Sequence, residues 1–307
     1  MSKPTITTSY AGASAKLYIA SSLLSGTTLE NGGVTVMPNV KHKSVIQKVA
    51  ASGLIKNSTC DYDDQGTVAI TERILQTEEF QVNTTFCTKQ FVDSWESAEL
   101  GVSAFTNMPS SFSDFIIANF ADQIAASVET NIWTGVTGNA GEIDGYETLW
   151  AADAGIIDVP NPVAITAANV VAKMGATLDL CPNTIYAKDD LKLYVSKDVM
   201  KNYIRALGGA ALGFGGGYEN RGQMWYNNQA LTFDGIPIFM ASGMSTNTMA
   251  IAQTSNLYFG TSVLSDLNEI RVIDTSETLG DRNARFVARF AYGIQYGIAT
   301  EIVLYQA

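Results

Sequence analysis

Residues 109–135 read PSSFSDFIIANFADQIAASVETNIWTG, and the layout of the molecule follows from how that stretch folds. Ser111 stands where a hydroxyl can cap a helix. Asp114, three residues later, reciprocates the cap and favours the positive end of the helix dipole. Phe112, Ile116, Phe120, Ile124, Val128 and Ile132 then recur at every fourth position, with Phe115, Ile117 and Ala125 widening the stripe. Thr134-Gly135 stops the pattern. It predicts one amphipathic helix of roughly 35 Å at 1.5 Å per residue. So long an apolar face needs a sheet or a second helix to cover it, and its aromatic residues belong to a core and not to a ligand box.

On the N-terminal side, residues 1–43 are rich in Ser, Thr, Gly and Ala with little periodicity, which predicts an extended arm unable to bury a core alone. From Ser44 to Phe91 the chain alternates, as in Thr67-Val68-Ala69-Ile70-Thr71, around the turn-prone run from Asp61 to Gly66. Residues 44–91 therefore read as a long two-stranded hairpin. On the C-terminal side, Val170, Val171, Met174 and Leu178 mark a helix over Thr166 to Leu180, ended by Cys181-Pro182. Leu191 to Val195 is strand-like, and Ser196 can cap a helix carrying Val199, Met200, Tyr203, Ile204 and Leu207. The glycines between Gly208 and Gly222 predict a surface loop. Strand-like segments at Ile236 to Met240, Met249 to Gln253, Ile270 to Ile273, Arg285 to Ile294 and Glu301 to Tyr305 complete an α+β order of elements.

Composition narrows the function classes. Apolar residues make up 46% of the 307 positions and charged residues 16%, against about 25% charged in ordinary globular proteins. So little charge is sparse for a fully solvated surface and matches extensive permanent interfaces. The net charge is −11, yet Met1 to Thr59 hold six lysines against Glu30, a local +5 that leaves −16 for the remainder. An arm of opposite sign is expected to lie on an acidic partner subunit or face nucleic acid. Scattered lysines without Arg or interleaved aromatics favour the first. Cys60, Cys87 and Cys181 are odd in number and lack C-x-x-C spacing, so they read as buried or half-buried thiols of a reducing cytosol. No export signal or membrane span is visible in the sequence, which fits synthesis in a cytoplasm.

No constellation of residues supports catalysis. His42 is the single histidine, which excludes a histidine-based triad or a two-histidine metal site within one chain. The Gly208–Gly217 run has neither G-x-G-x-x-G nor a following Lys, so phosphate-loop readings fail. Asp61, Asp63, Gln65, Gly66 and Glu72 come within one residue of a calcium-loop pattern. However, the alternating exit from Thr67 favours a hairpin tip over the helix such a loop requires. The pairs Asp63-Asp64 and Glu78-Glu79 read as solvated faces or intersubunit salt bridges. No catalytic residue, cofactor or metal is expected.

Three stretches carry a family resemblance. Glu129-Thr-Asn-Ile132-Trp133-Thr-Gly135 with Asp144-Gly145 resembles the close of a spine helix. Phe233-Asp234-Gly235-Ile236-Pro237-Ile238 with Asn256-Leu257-Tyr258-Phe259-Gly260-Thr261 resembles the return from an axial lobe into a rim. Asn268-Glu269-Ile270-Arg271-Val272, Arg285-Phe286 to Gln295-Tyr296-Gly297 and Glu301-Ile302-Val303 resemble closing strands. In this order and spacing they are similar to the major capsid proteins of tailed bacteriophages, with the Hong Kong 97-like fold also found in encapsulins.

The resemblance implies an N-terminal arm (1–43), an extended hairpin loop (44–91), a peripheral domain (92–160 and 262–307) and an axial domain (161–261). It implies self-assembly as hexamers and pentamers into an icosahedral bacteriophage head, a virion structural role assembled in the host bacterial cytoplasm. The packaged double-stranded DNA would be held without sequence-specific contacts. A separate scaffolding protein, a portal and decoration proteins are the further partners implied. Contacts between subunits are expected at the hairpin tip (Asp63, Asp64, Gln65, Gly66) and at the axial loop (Gly215, Gly216, Gly217, Tyr218). Some family members cross-link neighbours through a Lys and an Asn; no motif carries those roles here, although Lys56 is the nearest candidate. An encapsulin-like nanocompartment is the alternative use of the fold, and an α+β enzyme the third.

Overall fold

The computed structural model describes residues 26–55, 57, 58, 60, 66–87, 110–207, 231–261, 271–275, 280 and 283–307. Along the chain run α1 (Thr27–Glu30), β1 (Thr35–Met37), β2 (Lys43–Ser52), β3 (Thr67–Gln76), β4 (Glu78–Cys87), α2 (Ser110–Thr134), α3 (Tyr146–Ala152) and β5 (Ile157–Asp158). There follow α4 (Val170–Asp179), α5 (Asn183–Tyr186), β6 (Leu191–Val195), α6 (Lys197–Leu207), β7 (Thr232–Phe233), β8 (Ile236–Met240) and β9 (Thr248–Gln253). The chain closes with β10 (Leu257–Thr261), β11 (Arg271–Asp274), β12 (Asn283–Tyr296) and β13 (Val303–Gln306).

The expected long helix is present as α2, starting two residues earlier than a cap at Ser111 indicates. The side chains of Ser111 and Asp114, and so the expected cap, lie outside the described residues. Ile117, Ala121, Ile124, Ala125, Val128 and Ile132 are buried. They are covered by a sheet ordered β1-β10-β12-β11, with β4 on the other edge of β12. Alternate residues of β12 supply the covering face: Ala284, Phe286, Ala288, Phe290 and Tyr292 are buried, as the two-residue period of a strand requires. Phe120 meets Phe286 edge-on at 4.7 Å, a favoured aromatic geometry.

A second sheet, ordered β5-β13-β9-β6-β8-β7, packs against α4 and α6 around a separate core. All six residues of β9 are buried, as befits a central strand covered on both faces. β7 and β8 meet through Asp234-Gly235, both at positive φ, the two-residue hairpin turn that matches strand twist. The other face of this sheet, with Tyr194, Ala250 and Ala252, belongs to the first core and packs at the C-terminal end of α2. There Trp133 lies against Tyr146, Trp150 and Tyr194 with ring centroids 5.4, 6.1 and 5.5 Å away.

Four sequence expectations are corrected. The arm does not extend to residue 43: from Thr27 onward the chain is built into the body, with Leu29, Val34 and Val40 buried and β1 paired in parallel with β10. The cause is polar. The Glu129 carboxylate, on the buried side of α2, accepts from the Thr27 hydroxyl at 2.9 Å, the Thr28 amide at 3.0 Å and the Thr28 hydroxyl at 2.5 Å. Periodicity cannot register such a clasp. Second, the hairpin ends at Gln76, because β4 leaves it to pair with β12 over ten positions. Third, the lobes exchange strands. β10 follows β9 after a three-residue turn yet joins the first sheet, while β13 returns to the second, where Val303 and Tyr305 fill its core. Last, α4 spans Val170–Asp179, less than the expected Thr166 to Leu180.

Candidate functional site

β2 and β3 form a two-stranded ribbon paired from Lys43↔Gln76 to Ser52↔Thr67. Opposed residues share a face, so Val45 with Ile74, Val49 with Ile70 and Ala51 with Val68 form one apolar stripe. The stripe is uncovered: Val49 is 64%, Val68 63% and Ile70 62% exposed, and Val45 and Ile74 are about equally open. Leu54 and Ile55 beyond its end are exposed as well. Midway, Gln47 donates to Glu72 across the ladder at 3.1 Å. A two-stranded ribbon is marginal on its own in water, and exposed apolar surface of this kind, interrupted by the Gln47–Glu72 pair, marks an interaction site.

The ribbon's root is locked. Leu75 is fully buried and packs where Gly260 leaves room, since a Cβ on Gly260 would come within 2.6 Å of Leu75 Cδ2. Gly293 permits an even closer crossing: a Cβ there would lie 2.0 Å from the Gln76 carbonyl oxygen. The Thr77 amide donates to the His42 carbonyl at 3.0 Å, closing the base.

Just outside the root, the ribbon is tied sideways to the body. The Arg73 guanidinium pairs with the Asp153 carboxylate and lies 4.2 Å from the centroid of the Tyr296 ring. Asp153 also accepts from the Tyr296 hydroxyl at 2.7 Å and the Gly155 amide at 2.8 Å. Gln295 Nε2 donates to the Ile74 carbonyl at 3.1 Å. The Arg73 guanidinium, with the Tyr296 hydroxyl and the Gly155 amide, holds the Asp153 carboxyl down at about 2. Burial, and the Asp153 carboxylate beside it, push the Tyr296 hydroxyl up to about 12.

Because the folded-state value of Asp153 lies below its ordinary 3.8, the stabilisation is fully present above that value and is lost as pH falls towards about 2. We therefore expect the amides around Ile74 and Gly155 to lose exchange protection across that acid window. Asp153→Asn is expected to flatten the pH dependence, and an unchanged profile in that variant would assign the acid response to another carboxyl.

Of the residues singled out from sequence, Asp61, Asp63, Asp64 and Gln65 and the loop residues Gly215, Gly216, Gly217 and Tyr218 lie outside the described residues. Gly66 is exposed at the outer end of the ribbon. Glu72 lies inside strand β3 and bonds to Gln47, so the near-match to a calcium loop lacks its exit helix. Among the described residues no group of three His, Cys, Asp or Glu side chains converges on a common point, and no helix is long and apolar enough to cross a membrane. His42 contributes its carbonyl to the root. Glu78 and Glu79 sit exposed at the end of β4. Cys60 is exposed, against expectation, whereas Cys87 is half-buried and Cys181 buried.

Sequence reasoning missed Arg73, Asp153 and Tyr296 as a unit. They are separated by 80 and 143 positions, and nothing local distinguishes them from other surface charges.

No protein-family model matches the sequence, and no curated protein matches it. Solved structures do. The chain is similar to that of Gordonia phage Cozz at 10% identity and a TM-score of 0.57, over 92% of this chain and 86% of that one. It is similar to the capsid of a native GTA particle computed with C5 symmetry at 12% identity and a TM-score of 0.56, over 91% and 89%. A virus-like particle from Pyrococcus furiosus matches at 9% identity and a TM-score of 0.53, over 95% and 98%. The fold is thus the α+β, Hong Kong 97-like fold that the sequence resemblance implies.

Proposed function

We propose that this chain, with its Hong Kong 97-like fold, is the major capsid protein of a tailed bacteriophage. Copies of it form hexamers and pentamers and close an icosahedral shell around double-stranded DNA. The observation that carries the reading is the ribbon: a rigidly rooted arm with an apolar stripe that its own chain leaves open. Burying a Val or Ile side chain contributes roughly 1.5–3 kcal/mol, so a stripe of five, each about half open, offers on the order of 5 kcal/mol per contact. A monomeric enzyme has no use for such an arm, whereas a shell subunit meets a neighbour with it.

In this reading the chain is structural and not enzymatic, and it resides in the virion after assembly in the host cytoplasm. The hairpin tip at Asp63, Asp64, Gln65 and Gly66 reaches the neighbouring subunit, and the Gly215, Gly216, Gly217 and Tyr218 loop meets its counterparts around a capsomer axis. A separate scaffolding protein, a portal and decoration proteins complete the head, and the genome is enclosed without sequence-specific contacts.

Electron microscopy of the expressed protein, with the nucleic-acid content of purified particles, tests the proposal. Closed shells that hold DNA when made during infection are expected. Shells filled with protein cargo and devoid of nucleic acid select the encapsulin-like alternative. A small, stable monomer at high concentration sinks both.

A further inference from the structure

We infer that Arg73, Asp153 and Tyr296 form a strut that sets the angle at which the ribbon leaves the body, and so where its apolar stripe meets a second copy of the chain. The inference rests on the shell reading for its consequence but not for its geometry. Between the ribbon and the turn at residues 297–300 lies an open cleft of about 380 Å³, lined by Ile46, Lys48, Thr71 and Glu72 on one side and by Gly297 to Thr300 on the other, with Arg73 at its edge. This cleft is room into which the ribbon could tilt. The root at Leu75 and Thr77 is a pivot; it fixes the start of the lever but not its elevation.

Arg73 sits two residues outside the pivot and is the outermost ribbon side chain with an ion pair to the body among the described residues. Its planar guanidinium is held twice, by the carboxylate and by the ring face, which restrains orientation as well as distance. Asp153 is in turn fixed by the Gly155 amide and the Tyr296 hydroxyl. The partner is therefore a preset socket and not a mobile surface acid.

The lever makes the strut consequential. Eight residues separate Leu75 from Thr67, about 26 Å at roughly 3.3 Å per residue, so a tilt of about 10° moves Thr67 by about 5 Å. An interface whose side chains must interdigitate does not tolerate that displacement. Arg73, Asp153 and Tyr296 are thus positioning residues: they act on assembly through the ribbon.

The test is a distance measurement on unassembled subunits. Spin labels are placed on Cys60 near the ribbon tip and on Ala172→Cys, an exposed position of α4, with Cys87→Ser to remove the half-buried thiol. Arg73→Met keeps the aliphatic stem and removes the charge. It is expected to shift or broaden the label-to-label distance by about 5 Å while the melting transition is retained, and to replace uniform shells with particles of mixed diameter or open sheets. Should Arg73→Met fail to fold, Asp153→Asn is measured in the same way. A variant distance distribution that superimposes on the wild type overturns the strut. Failure of the wild type to form any shell overturns the assembly reading instead, and the spin-label distances still judge the strut.

Discussion

Shells are expected to disappear when Val49→Lys and Ile70→Glu are combined, while the subunit itself melts as the wild type does. Val49 and Ile70 are directly opposed on the ribbon and are 64% and 62% exposed. An opposed Lys and Glu preserve the cross-strand attraction and leave the net charge unchanged. The ribbon therefore keeps its ladder and loses the centre of its apolar stripe. Burying what Val49 and Ile70 leave exposed accounts for about 2–4 kcal/mol per contact. That loss raises the concentration needed for assembly by roughly one to three powers of ten, and desolvating the new charges at an apolar interface adds to the cost. Light scattering and negative-stain microscopy across a concentration series read the effect. Closed shells at the wild-type concentration would falsify the stripe as an assembly surface.

The largest loss of subunit stability is expected from Trp133→Ala. The indole is fully buried in the first core, where α2 meets a face of the second sheet. Its Nε1 donates to the Thr28 hydroxyl at 2.8 Å, so one side chain joins the spine helix, the N-terminal clasp, the aromatic cluster and, through Tyr194, the second sheet. Truncating a buried Trp costs about 3–5 kcal/mol, against a net stability of about 5–15 kcal/mol for a domain. The melting midpoint should fall by on the order of 10 °C, with loss of near-ultraviolet circular dichroism. Trp133→Phe should recover part of the fall by refilling the cavity. A drop below about 1 kcal/mol for the alanine variant would place the indole outside the packing centre argued here.

Both predictions act through features of differing legibility. The stripe was in plain view: alternation at Thr67-Val68-Ala69-Ile70-Thr71 announces a strand, and a strand outside any large sheet leaves one of its faces to a partner. The role of Trp133 was only half visible, because its position at the end of the helical repeat marks it as core without saying that a second sheet packs there. Where the hairpin stops was not legible. Thr67–Gln76 and Glu78–Cys87 have the same kind of sequence, and the choice between an arm and a sheet edge is made by β12, about 200 residues downstream. The arm boundary failed for a related reason: the clasp between Thr27, Thr28 and Glu129 spans more than 100 positions.

The amino-acid sequence by itself determined the elements and the class. The four-residue period of 112–132, the two-residue period of the strands and the punctuation by Gly and Pro are local steric and solvation effects, and local effects are written in neighbouring residues. It also limited the chemistry, since a single histidine excludes a histidine-based triad or a two-histidine metal site within one chain. Tertiary structure alone decided which strands share a sheet, that β10 and β13 exchange lobes, and that Arg73 finds Asp153 and Tyr296. Those outcomes depend on which distant surfaces bury each other best, a comparison made only once the whole chain has collapsed around α2.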